Sequence, residues 1–211
     1  MLDIKIANKS FGSKIILENI NVQILENGIY GIVGKNGQGK TTFFNCILGL
    51  TSYEGKIEFN SDKLVLNQIA WCPTDPDLYD ELTAKEFYNF YRELTNIKKT
   101  ENKFLFEVPN NQLLKSFSTG MKKKTYLNAI FQKDYQIFIL DEPFNGLDLE
   151  SNYVLMNFLK EKSKDAIIFI SSHILEILYT NCQSIFVVKD KNIENIDKLN
   201  FNLIESKLFK F

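Results

Sequence analysis

The sequence predicts an α/β fold: a mainly parallel sheet covered by helices on both faces, preceded by an antiparallel β region near the N-terminus. Three observations point there. The runs Ile29–Val33, Gln136–Leu140 and Ala166–Ile170 are short and apolar almost throughout, as strands buried on both sides are. After residue 120, such strands alternate with helical patterns, which is how parallel β-α-β units read. Residues 2–7 instead alternate apolar and polar, the pattern of a half-buried strand.

The elements follow in order. Residues 8–13 are a turn, and 14–25 are further strand with a break near Glu18-Asn19. Asn27-Gly28 has hairpin chemistry and leads into Ile29–Val33. A helix begins near Lys40, and Gly49 is placed to cap its end. Residues 56–59 and 64–72 read as two more strands of the antiparallel region. Pro73-Thr74-Asp75-Pro76 is a loop. Thr83 with Glu86 three residues later forms a capping box. The helix it opens carries Phe87, Phe90, Tyr91 and Leu94 at helical spacing, a core stripe. Residues 96–112 carry no firm element, and Ser118 opens a helix to about Lys133. A helix over 149–162, another to about Tyr179 and a strand at 184–188 complete the reading. The tail beyond Asp190 is ambiguous, and no internal repeat is visible.

The chemistry centres on Gly34-Lys35-Asn36-Gly37-Gln38-Gly39-Lys40-Thr41-Thr42, between a strand and a helix. This is the P-loop pattern G-x-x-x-x-G-K-[ST] in the context it requires. Gly34, Gly37 and Gly39 let successive amides turn inward toward a polyphosphate. The start of the helix adds its positive dipole end. In that pattern Lys40 reaches the β- and γ-phosphates, and the Thr41 hydroxyl holds Mg²⁺. Asp141-Glu142 end a buried strand, where ligands bind in open α/β sheets. Asp141 is the candidate metal carboxylate and Glu142 the candidate general base.

A chain of 211 residues and 24.5 kDa can bury a sizeable core. Its net charge of −1 gives no reason to expect nucleic acid as a partner. Cys46, Cys72 and Cys182 are widely spaced and read as small buried hydrophobes in a reducing compartment. No apolar run approaches the ~18–20 residues of a membrane span, and the N-terminus lacks a signal-peptide layout. The expected placement is cytoplasmic.

On these motifs the chain resembles the nucleotide-binding domain of ATP-binding cassette (ABC) transporters over nearly its whole length. The resemblance implies a RecA-like P-loop NTPase core with a helical subdomain inserted at about residues 75–124, with residues 1–211 as one ATP-binding domain and with ATP and Mg²⁺ as cofactors. Gly34, Asn36, Gly37, Gly39, Lys40, Thr41 and Thr42 then match the Walker A nucleotide contacts. Asp141 matches the Walker B metal carboxylate, joined by Thr41, and Glu142 the catalytic glutamate. His173 falls at the family's switch histidine, and Asp148 in Asn145-Gly146-Leu147-Asp148 matches the D-loop. Phe11 stands where an aromatic usually stacks on adenine, though it could equally be core. Phe117-Ser118-Thr119-Gly120-Met121 matches the signature, and its Ser118 and Gly120 are suited to a γ-phosphate. Its Ser-x-Gly-Met-Lys-Lys form is similar to that of small prokaryotic exporter cassettes. Lys122, Lys123 and Lys124 read as a solvated face, or as sensors of the partner's nucleotide. Thr74 replaces the glutamine expected to help ligate Mg²⁺; being shorter, it could reach the metal only through water. The helical stretch between Pro73 and Ser118 is also short for the family.

The implied partners are separate transmembrane permease subunits and a second nucleotide-binding subunit, forming a homodimer. The implied location is the inner face of the cell membrane. The implied function is ATP hydrolysis driving export. The alternatives are a regulatory cassette that binds ATP with little hydrolysis, and a soluble ABC protein without a transport role.

Overall fold

The computed structural model describes residues 1–97 and 104–208. The elements, in order, are β1 Leu2–Phe11, β2 Lys14–Ile24, β3 Gly28–Val33, α1 Lys40–Ile47, β4 Glu54–Phe59, β5 Asp62–Lys63 and β6 Ile69–Cys72. Then come α2 Ala84–Leu94, α3 Thr119–Ile130, β7 Ile137–Leu140, α4 Leu149–Lys162, β8 Ile167–Ser171 and α5 Leu175–Asn181. β9 Ser184–Lys189, β10 Asn192–Asp197 and α6 Ile204–Leu208 close the chain. The six-stranded sheet runs β10-β9-β3-β8-β7-β6, parallel except for β10. The second sheet, β2-β1-β4-β5, is antiparallel.

Side-chain alternation along the parallel strands divides the core into two. Tyr30 and Ile32, Ile137 and Ile139, and Ile167 and Phe169 face α1 and the antiparallel sheet, where Phe43, Phe44, Leu2 and Ile4 meet them. Ile29 and Val33, Phe138 and Leu140, and Ile168 and Ile170 face the other way, onto Leu127 and Ile130 of α3 and Leu155 and Leu159 of α4. Buried on both faces, these strands carry no polar stripe. Their carboxyl ends lie side by side in the order β9, β3, β8, β7, β6, and the functional residues gather at that edge.

Five expectations need correction. Residues 8–13 are not all turn: β1 runs on to Phe11, and only Gly12 and Ser13 separate it from β2. The stretch 64–72 is not one strand of the antiparallel region. Leu66–Gln68 form a 3₁₀ turn, with Gln68 Oε1 accepting from Val65 N–H at 3.0 Å. Val65 and Leu66 stay exposed, so only Ile69–Cys72 is strand, and it joins the parallel sheet beside β7. Asn27-Gly28 makes no hairpin, because β2 and β3 belong to different sheets. The expected break in 14–25 is a continuous β2 that carries Asn19 in a left-handed conformation (φ 54°). The aromatic stripe of α2 is only partly core: Phe87 is buried, whereas Phe90 and Leu94 are exposed.

The capping box holds as expected. Thr83 Oγ1 accepts from Glu86 N–H, and Glu86 Oε2 accepts from Thr83 N–H at 2.8 Å. Part of the featureless 96–112 stretch lies outside the described residues. Within its remainder, Phe106 is held by the buried amide of Asn128 on α3, which donates to Phe106 C=O (2.8 Å) and Tyr88 Oη (3.1 Å) and accepts from Phe106 N–H (2.9 Å). The tail beyond Asp190 forms β10 and α6 as far as Leu208, with its last three residues outside the description. Asn128→Leu removes the amide and strands these buried groups while adding bulk, so the chain should lose about 2–4 kcal/mol of stability. Urea unfolding would show it as a lowered midpoint.

Candidate functional site

The P-loop leaves β3 at Gly34, where an added Cβ would lie 2.6 Å from the carbonyl oxygen of Val188 on β9. Only glycine lets the chain pass that close. Gly37 (φ 78°) and Gly39 (φ 108°) are left-handed, a region that L side chains rarely enter. Gly39 caps α1 without a side-chain bond, and the first turn holds no acidic residue. The positive end of the helix therefore meets the loop without a compensating carboxylate from its own first turn. Lys40 folds back across the loop and donates to Gly34 C=O at 2.7 Å. Burial pushes its pKa down, while the Glu142 and Asp141 carboxylates push it up.

Asp141 joins the ends of β7 and β8 to the start of α1. Its Oδ2 accepts from Thr41 Oγ1 at 2.9 Å, and its Oδ1 accepts from Ser171 Oγ at 2.5 Å. Ser171 in turn accepts from Glu142 N–H at 2.8 Å. Glu142 has φ 50°, a conformation that costs a non-glycine residue roughly 1–2 kcal/mol. Its side chain is buried, and Oε2 accepts from His173 N–H at 3.3 Å. Its Oε1 lies 3.3 Å from His173 Nε2 yet receives no hydrogen bond. Burial pushes the Glu142 carboxyl above its ordinary range, with His173 opposing the shift. An orphaned, basic carboxylate oxygen beside a P-loop is placed to accept a proton from a water.

The expected residues fall into two groups. Gly34, Asn36, Gly37, Gly39, Asp141, Glu142 and His173 lie on the loops that leave neighbouring strand ends, and Lys40, Thr41 and Thr42 form the first turn of α1 beside them. Asn36 and His173 also line a common cavity of about 370 Å³ with Ser172 and Leu208. Ser118, Gly120 and Asp148 form the second group. Ser118 caps α3, accepting from Met121 N–H at 3.2 Å. A Cβ on Gly120 would sit 2.4 Å from Gly146 C=O, so the first turn of α3 and the loop before α4 touch through backbone. Asp148 caps α4 and takes Lys124 Nζ at 2.6 Å, which holds its carboxyl well below the usual range. Phe11 is 56% exposed, with Lys9 Nζ 4.0 Å from its ring centroid, so it is not core.

The solvated-face reading of Lys122–Lys124 fails at Lys123. That side chain is buried, and its ammonium donates to the carbonyls of Pro73, Thr74 and Glu142. Lys122 and Lys124 do reach the surface, paired with Asp80 and Asp148. Thr74 thus enters the site through its backbone. Sequence reasoning also missed Ser171, whose signal was a hydroxyl closing the apolar run 166–170.

A family model described as ABC transporter matches residues 17–145, more than half of the chain. The chain belongs to the ABC transporter family. The matched span holds this ABC chain's P-loop, signature and Asp141–Glu142, while Asp148 and His173 lie beyond it. An uncharacterised ABC transporter ATP-binding protein of Methanocaldococcus jannaschii is 30% identical over 199 residues, covering 88% of this chain and 74% of its own. The ABC-type transporter ATP-binding protein EcsA of Bacillus subtilis is 29% identical over 214 residues, covering 92% and 85%. The bacitracin transport ATP-binding protein BcrA of Bacillus licheniformis is 33% identical over 184 residues, covering 79% and 60%. A solved ATP-binding subunit of an ABC transporter superposes with a TM-score of 0.88 at 25% identity, over 100% of this chain and 95% of that one. The mixed sheet and its flanking helices are those of an ABC P-loop ATPase.

The raised pKa of Glu142 has a stability consequence. Between the unfolded value near 4.5 and the raised folded value, the folded chain binds more protons, so stability falls as pH rises through that window. Without nucleotide or metal, Glu142→Gln should therefore melt at a higher temperature than wild type at pH 8. The gap should close as the pH approaches 4.5, as followed by calorimetry.

Proposed function

We propose that this ABC chain binds ATP with Mg²⁺ and hydrolyses it to drive export through separate transmembrane permease subunits. The observation that carries the reading is the orphaned Oε1 of buried Glu142, beside a P-loop whose metal hydroxyl already meets Asp141. The residues present suit the nucleotide and its metal. Lys40 and the inward-turning loop of Gly34–Gly39 would hold the β- and γ-phosphates, and Asn36 and Thr42 flank them. Phe11 would stack on adenine. Thr41 and Asp141 offer hard oxygen donors for Mg²⁺. Among the described residues no cluster of three or more His, Cys, Asp or Glu could hold a metal. The ion's remaining ligands would therefore be phosphate and water. Bound there, Mg²⁺ supplies charge neutralisation on the transferred phosphoryl group.

The chain's own residues then do the following. Glu142 accepts the proton of the attacking water, its raised pKa suiting that task. His173 holds the Glu142 carboxylate through its backbone N–H and offers its ring to the γ-phosphate. Ser118 and Gly120, at the N-terminus of α3, serve the nucleotide of a second copy of the chain, and Asp148 tightens the contact between the copies. Closing that homodimer around two nucleotides is the power stroke; hydrolysis reopens it.

Residues 1–211 serve as one ATP-binding domain. The helical segment at about 75–124 meets the permease, and exposed Tyr79, Phe90 and Leu94 offer it an apolar face. No described helix is long and apolar enough to cross a membrane, which fits a peripheral place at the cytoplasmic face beside a separate permease. The likeness to BcrA supports a transport role, and the Ser118–Lys123 signature form supports export.

Glu142→Gln should keep ATP affinity while turnover falls roughly 10²–10⁴-fold. Lys40→Ala should instead weaken binding itself. Phosphate release and nucleotide titration, run side by side on the three proteins, separate the roles. Unchanged turnover in Glu142→Gln removes it as the base.

A further inference from the structure

We infer that Lys123 is a positioning residue for Glu142, tying the signature helix to the peptide that aims the catalytic carboxylate. The inference rests on the ATPase reading above. Lys123 is 3% exposed, and its three acceptors are backbone carbonyls from two separate loops. Pro73 and Thr74 belong to the loop after β6, and Glu142 to the loop after β7. An ammonium has three donors, and here each finds a carbonyl. Methionine would fill the same volume without burying a charge. What only the ammonium supplies is a point where those carbonyls are held together.

The peptides on either side of Glu142 are fixed by different groups. Its N–H is bound by Ser171 Oγ at 2.8 Å, and its C=O by Lys123 Nζ at 3.4 Å. Between them the residue is kept at φ 50°. Without the lysine, the peptide after Glu142 can turn, the residue can relax toward an ordinary conformation, and the carboxylate leaves His173. Lys123 lies five residues along from Ser118 on the same helix, so a shift of that helix moves the ammonium with it. The strand pairing already brings Asp141 N–H onto Cys72 C=O at 2.8 Å; with threonine at 74, whose own carbonyl is one of the three acceptors, Lys123 adds the link from Pro73-Thr74 to the peptide after Glu142. Lys123 thus reports the position of the signature helix to the base of its own site.

The test is a double-mutant cycle of Lys123→Met with Glu142→Gln, read by phosphate release and by titration with a fluorescent ATP analogue. In the wild-type background, turnover should fall about tenfold or more, with ATP KM and Kd within about twofold, because the P-loop is untouched. In the Glu142→Gln background, the same substitution should change the residual rate less than about twofold, because its effect passes through Glu142. Lys123→Arg, which keeps the donors, should retain more turnover than Lys123→Met. Near-wild-type turnover in Lys123→Met overturns the inference, as does an equal fall in both backgrounds, the mark of general damage. If Lys123→Met does not fold, Lys123→Leu, which likewise has no donor, enters the same cycle with the same expectations. Wild-type hydrolysis indifferent to Glu142 overturns the functional reading and the inference with it. Hydrolysis that needs Glu142 but not Lys123 overturns the inference alone.

Discussion

The carboxylate of Asp141 is the constraint on which the site depends. It is 3% exposed, and a buried carboxylate is tolerable only with its oxygens satisfied. Here both are, by hydroxyls from different elements: Thr41 on α1 and Ser171 at the end of β8. Those bonds require β3, β8 and β7 to be neighbours that end together, which the parallel register provides. They also place the P-loop helix over the end of β7. The sheet order and the chemistry are one requirement seen from two sides.

Around that anchor the structure keeps several unfavourable local arrangements. Glu142 sits in a left-handed conformation, buried, with one oxygen unpaired. Lys40 and Lys123 are buried ammonium groups held by backbone carbonyls. None of these stabilises the fold as well as an apolar side chain of similar size would. They persist because two large cores, one on each face of the parallel sheet, hold the strand ends in place. Strain of this kind collects where a group must be aimed before its ligand arrives.

What the sequence revealed was what local rules encode. The P-loop, the Asp141–Glu142 pair at a strand end and the Thr83–Glu86 capping box each depend on residues within a few positions of one another. What it concealed depended on distant partners. Asn27-Gly28 has hairpin chemistry, but which sheet the next strand enters is decided by β8 and β9. Val65 and Leu66 looked like strand, but no partner strand covers them. Lys123 looked like surface because it sits among lysines. Its spacing of four and seven residues to Leu127 and Ile130, both in the core facing α3, was the signal that it points inward. Ser171 carried only a faint signal, since a serine ending an apolar run resembles an ordinary turn residue.

If this strand-end edge hydrolyses ATP as proposed, it does so with a metal held at Thr41 and Asp141. The most direct measurement is phosphate release from ATP by the purified wild-type chain, with Mg²⁺ and with EDTA, across protein concentrations. Release should require Mg²⁺ and rise faster than linearly with concentration as the two-copy state forms. ATP binding without phosphate release at any concentration, or release indifferent to EDTA, would contradict the proposal.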